Sequence, residues 1–174
     1  MSKSEQNNLI KKKLLSNNIK EVLFTINKLR NTGSKEIVPS LIDLMSSSKS
    51  EEVKKSVLGL LYDIKYQTAV VEIINAISSD KYLNIRTELL TICWQSSLDF
   101  SNYIDVLTDI FITGNFTESF EAFTAIESIE EKLDSELVKQ SIANLKSVIS
   151  TIDDSKKELL AELVHVIEAK ELRA

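Results

Sequence analysis

The sequence is poor in the residues that bend a backbone. It holds 3 glycines and 1 proline among 174 residues. An all-β chain of this size needs a turn about every 8–12 residues, and such turns draw on glycine and proline. The shortage therefore points to helices. There is one cysteine, Cys93, so neither an intrachain disulfide nor a cysteine-based zinc site can form. The single thiol fits a reducing, cytoplasmic setting. The only histidine is His165, and most acid–base and zinc chemistry draws on histidine. The opening MSKSEQNNLIKKKLL lacks the apolar core of a signal peptide. No run of about 18 apolar residues exists to span a membrane.

What is present is helical periodicity, almost from end to end. The series include Ile19, Val22, Leu23, Ile26, Leu29; Val53, Val57, Leu60, Leu61, Ile64; and Leu159, Leu160, Leu163, Ile167. Phe116, Phe120 and Phe123 form another stripe, expected in the core, as is Ile149 after Leu145. About ten helices of ~12–16 residues follow, joined by short connections. Gly33 and Gly114 sit where a left-handed residue can stop a helix. Ser48–Glu51 and Ser155–Glu158 have capping-box spacing, and Asp99 and Asp134 offer N-cap oxygens. Pro39 falls in the first turn of a helix, while Gly59 lies inside one without an evident turn to justify it.

The chain also repeats. Residues 37–64 align with 69–96 at a constant offset of 32: Val38 meets Val70, Leu41 meets Ile73, Ile42 meets Ile74, Met45 meets Ile77, Val53 meets Ile85, Val57 meets Leu89 and Leu60 meets Ile92. A third copy covers 101–130, a degenerate fourth 136–170, and a partial one 5–31. One helix pair of this length cannot enclose its own apolar face, whereas stacked pairs bury a continuous core.

The segments SSKSEEVKKSVLGLL (47–61) and SSDKYLNIRTELLTI (78–92) resemble HEAT and armadillo-type helical repeats. Asp80 and Arg86 match the turn aspartate and following arginine of the HEAT pattern, and Pro39 matches its common first-turn proline. The period is shorter than the usual ~40–47 and closer to the short units of phycobilin-lyase-type proteins. The resemblance implies an all-α fold: a right-handed α-solenoid of about four to five antiparallel helix pairs in a single domain, 1–174. Residues 1–35 would cap it, 36–130 would form its best-defined repeats, and 131–174 a degenerate repeat or cap. The second helices of such pairs line the concave face, the usual binding surface.

No nucleotide-binding, nucleophile-elbow or zinc motif occurs in the sequence. Cys93 falls at a core position, and His165 lies between Val164 and Val166 without a ligand set around it. No catalytic, cofactor-binding or metal-binding residue is therefore assigned, and no cofactor is implied.

Charge is unevenly spread. Residues 1–35 carry 8 Lys+Arg against 2 Glu, residues 118–136 carry Lys132 against 7 acids, and residues 137–174 balance at 6 and 6. A concentrated acidic patch steers basic partners. The expected function is a non-catalytic scaffold or adaptor that binds a protein or peptide, with preference for a basic one, on a concave, partly acidic face. Candidate partner-binding residues are Lys54, Lys55, Tyr62, Arg86, Glu88, Trp94, Gln95, Glu118, Glu121 and Glu127. Arg86 has a structural alternative, bonding the turn aspartate. HEAT-like glycosylases and lyases show that similar folds host chemistry, but a glycosylase needs a basic concave surface for DNA. The net charge of −5 disfavours nucleic acid. A self-associating helical bundle is the other rival, and a monomer or weak homo-oligomer is expected.

Overall fold

A computed structural model of the chain describes residues 2–32 and 34–171, with backbone alone at 31 and 32. Among the described residues there are ten α-helices and no strand: α1 Lys3–Leu14, α2 Ile19–Thr32, α3 Val38–Ser47, α4 Glu51–Tyr62, α5 Val70–Ile77, α6 Arg86–Gln95, α7 Ile104–Thr113, α8 Phe116–Ser128, α9 Ser135–Ser147 and α10 Lys157–Glu171. Short 3-10 segments, Lys35–Ile37, Gln67–Ala69 and Ser101–Tyr103, lead into α3, α5 and α7. Two more, Asp80–Ile85 and Asp154–Lys156, precede α6 and α10. None of the described helices is long and apolar enough to cross a membrane.

The helix ends follow capping chemistry, at positions that partly differ from the sequence expectation. Asp134 caps α9 as expected, accepting from the backbone N–H groups of Glu136 and Leu137, and Asp99 accepts from that of Ser101. Pro39 lies in the first turn of α3, where a missing N–H costs nothing. Ser50, not Ser48, caps α4, its hydroxyl accepting from Val53 N–H. Ser48 instead ends α3 and accepts from Ser50 N–H. Asp153, not Ser155, closes the turn before α10. Reciprocal capping boxes form at Ser2–Glu5 and Asn115–Glu118. Gly114 is not left-handed; its φ is −71° and ψ 170°. Space demands it instead: a Cβ there would lie 2.7 Å from the Ile110 carbonyl oxygen and 2.8 Å from Glu118 Cβ. Gly33 lies outside the described residues.

The helices cluster into two compact units, Met1–Leu98 and Asp99–Ala174. In the first, α1 packs on α2, α3 on α4 and α5 on α6. The odd helices also contact in order, α1 with α3 and α3 with α5, and the even helices likewise, α2 with α4 and α4 with α6. The 32-residue offset reappears as burial. Val38 and Val70, Leu41 and Ile73, Ile42 and Ile74, Met45 and Ile77, Val53 and Ile85, Val57 and Leu89, Leu60 and Ile92 are buried in both copies. The second unit repeats the pattern with two pairs: α7 on α8, α9 on α10, α7 on α9 and α8 on α10. There Thr108 stands four residues into α7, fully buried, and its hydroxyl has no hydrogen-bond partner.

The aromatic stripe of α8 departs from expectation. Phe123 is buried, but Phe116 and Phe120 are 51% and 49% exposed. The inward arc of α8 is Ser119, Ala122, Phe123, Ala125 and Ile126. Small side chains let α7 approach closely, so the helix turns its two outer phenyl rings to solvent. Ile149 is also exposed, because α9 ends at Ser147.

Candidate interaction surface

The even helices of each unit keep one stripe for solvent. On α4 this stripe includes Glu52, Lys55 and half-buried Tyr62; on α6 it includes Glu88, half-buried Trp94 and Gln95. Tyr62 and Trp94 occupy the same place in successive repeats, 32 residues apart. The Tyr62 hydroxyl lies 2.7 Å from Thr91 Oγ1 and so joins α4 to α6. Lys54 is half-buried and pairs with Glu51 at 2.8 Å.

Arg86 has a different task. Its side chain is only 11% exposed. Its Nε donates to the Ile77 carbonyl at 3.0 Å, while Asp80 lies 3.8 Å from Nη2 and is itself almost fully exposed. The arginine thus ties the end of α5 to the start of α6. Beside it, Lys81 and Tyr82 both donate to Asp43 Oδ1, and Asn84 donates to the Ser46 carbonyl at 3.0 Å. Partial burial would raise the Asp43 pKa, but the hydrogen bonds from Lys81 and Tyr82 outweigh it and hold the carboxyl below its usual value. These contacts lock the segment 80–85 onto α3.

In the second unit the expected exposure of Glu118 is corrected. It is buried, at 7% exposure. Its Oε2 accepts from Asn115 N–H at 2.8 Å in the capping box, a requirement of the tight Gly114 turn. Glu121 is half-buried and Glu127 exposed.

Two lysines define this unit. Lys156 is 6% exposed, and its Nζ donates to the carbonyls of Phe111, Ile112 and Gly114 at the end of α7. Lys170 is 3% exposed and donates to the carbonyls of Glu127, at 2.8 Å, and Ile129 at the end of α8. Each ammonium satisfies carbonyls that a helix terminus leaves unpaired and meets the negative end of the helix dipole. Burial lowers the Lys156 pKa, against the opposing charges of Asp153 and Glu118. The start of α10 is thereby held at the start of α8, and its end at the end of α8. The two helices run parallel, in a register offset of 42–43 residues.

Both helices also keep exposed residues. Phe116 and Phe120 are exposed on α8, and Glu158 and Glu162 on α10. His165 is exposed one turn further along α10. Phe116, Phe120, Glu158 and Glu162 fall outside the binding face expected from the sequence, and so do the two lysines. The lysines did leave a signal: Lys156, Leu160, Leu163, Ile167 and Lys170 share one helical stripe.

Cys93 is buried, and burial pushes its thiol pKa up, away from nucleophilic use. Among the described residues no three His, Cys, Asp or Glu side chains gather as a metal-holding group. No protein-family model matches the chain, and no curated protein matches it.

Proposed function

We propose that the protein is a non-catalytic scaffold or adaptor. In this reading its helix pairs stack as a right-handed, HEAT-like solenoid, and a partner segment lies along the exposed stripes of the even helices. The observation that carries it is the division of labour on those helices. One arc of each packs in the repeating ladder of odd and even neighbours, and the opposite arc is left to Lys55, Tyr62, Glu88, Trp94, Gln95, Glu121 and Glu127. Half-buried aromatics among charges are the side chains that anchor interfaces. The partner expected is a protein or peptide with a basic segment, met in the cytoplasm. Arg86 and Glu118 serve the scaffold itself, through the Ile77 carbonyl and the Asn115 cap.

Quantitative affinity purification tests the reading. A variant reversing charge on the even face (Lys55→Glu with Glu88→Lys and Glu127→Lys) should lose the partners captured by the wild type. A variant reversing charge on the odd helices (Glu72→Lys with Asp109→Lys) should keep them. Loss only in the odd-helix variant would refute it.

A further inference from the structure

We infer that the solvent stripe of α2 is a docking site for an acidic peptide segment, with Lys20 and Lys28 pairing its carboxylates and Phe24 seating an apolar side chain between them. The inference rests on the scaffold reading and adds an acidic segment to the basic one expected elsewhere on the even helices.

Position on one helix comes first. Val22, Ile26 and Leu29 form the buried arc of α2. Lys20, Phe24 and Lys28, spaced four residues apart, fall on the opposite arc. All three are exposed, Phe24 at 60%. Asn27, beside them, is exposed and uncharged. Four residues of α-helix rise about 6 Å, so the three side chains make one line of cation, ring and cation. Lys28 Nζ lies 4.5 Å from the centroid of the Phe24 ring. A lone exposed phenyl is ordinary on a protein surface. This one lies under an ammonium, so the apolar and acidic groups that meet the two must be neighbours as well.

Charge selects the sign of the partner. The one carboxylate of α2 is Glu21, and it accepts from the Ser16 hydroxyl at 2.6 Å, toward the turn that precedes the helix. On α4, the next even helix, Lys55 is exposed. Two nearby acids of α4 and its end are already paired, Glu51 with Lys54 and Asp63 with Arg30. A peptide fits this surface better than a nucleic-acid strand. A strand carries a phosphate at every nucleotide, and beyond α2 it would meet exposed Glu52 on α4 and exposed Glu88 on α6. A peptide can change sign along its length. Alternate side chains of an extended peptide share one face at about 6.6–6.8 Å, close to the interval of the stripe. The pattern that fits is an apolar residue with an acidic residue two positions away on each side, laid along α2.

The probe is a synthetic peptide with leucine at its centre, a glutamate two positions away on each side, and glycine and serine elsewhere. One control peptide carries lysine in place of both glutamates, and another carries serine in place of leucine. Fluorescence anisotropy on the full chain at low salt should show the acidic peptide binding, weakening as salt rises. The lysine peptide should not bind, and the serine peptide should bind at least threefold more weakly. Lys20→Glu/Lys28→Glu should lose at least tenfold in affinity for the acidic peptide, and Phe24→Ser at least threefold. Because all three residues are exposed, both variants should keep the wild-type melting curve. Lys132→Glu/Lys139→Glu, the same change of net charge at exposed positions of the second unit, should bind the peptide as the wild type does. Equal binding of the lysine peptide, no binding of the acidic one, or indifference to both α2 variants would overturn the inference. Tighter binding of a single-stranded RNA of about 12 nucleotides through the same lysines would also overturn it, since the occupant would then be nucleic acid. So would a wild-type dimer in sedimentation that Lys20→Glu/Lys28→Glu converts to monomer, since the occupant would then be a second copy of this chain. If the acidic peptide fails while even-face variants still lose cellular partners, the scaffold reading stands and this inference alone falls.

Discussion

Replacing Lys170 by methionine should destabilise the second unit by about 2–4 kcal/mol. Methionine keeps most of the stem length and apolar contact, so the change isolates the ammonium. Lys170 is 3% exposed and donates to the Glu127 and Ile129 carbonyls. Without it both carbonyls stay buried with that donor gone, at about 1–3 kcal/mol each. The favourable interaction with the α8 dipole, about 0.3–1 kcal/mol, is lost too. Against these stands the relief of no longer desolvating an ammonium, which takes back part of the total. Urea denaturation should show a midpoint lowered by roughly 1–2 M for a slope near 2 kcal/mol/M. Hydrogen exchange should speed up first at the end of α8. Lys139→Met, an exposed control on α9, should change stability by less than about 0.5 kcal/mol. Equal effects of the two substitutions, or no effect of the first, would refute the claim that Lys170 caps α8.

The glycines should part company. Gly114→Ala places a Cβ against backbone and should cost about 1–3 kcal/mol, whereas Gly59→Ala meets only the Arg30 side chain at 3.5 Å and should gain about 0.5–1 kcal/mol; thermal melts read both. Thr108→Val removes a fully buried hydroxyl that has no partner and should raise stability by about 1 kcal/mol, and a lower melting temperature would show that the hydroxyl is needed. The Asp43 carboxyl is held below its usual value by Lys81 and Tyr82, so its contribution is present above about pH 4 and fades as pH falls further. Asp43→Asn should therefore flatten the acid limb of the stability curve, and an unchanged limb would deny the aspartate this role.

Much of the fold is legible in the sequence because burial follows period. The positions paired at an offset of 32 are buried in both copies, and the scarcity of glycine and proline does correspond to an all-helical chain. Legibility ends where packing depends on size rather than hydrophobicity. Phe116 and Phe120 fit a helical stripe as well as Ser119, Ala122 and Ala125 do, yet the small residues are the ones buried, because they allow close helix approach. Charge departs from expectation for a related reason. Lysine and glutamate in a sequence read as surface, but Lys156, Lys170 and Glu118 satisfy helix termini from inside. The sequence places the acidic stretch at residues 118–136, with Glu118 included. Glu118 is withdrawn from that surface, while Glu127, Glu130, Glu131, Asp134 and Glu136 stay exposed.

The central claim is that the solvent stripes of the even helices are where partners bind. Site-specific photo-crosslinking in cells tests it most directly. A photoreactive phenylalanine would replace Glu88 or Thr124 on even helices, and Val71 or Asp109 on odd ones; Glu88, Val71 and Asp109 are exposed and Thr124 half-buried. The account predicts crosslinked partners from Glu88 and Thr124 and none from Val71 or Asp109. Crosslinks from the odd helices, with none from the even ones, would contradict it.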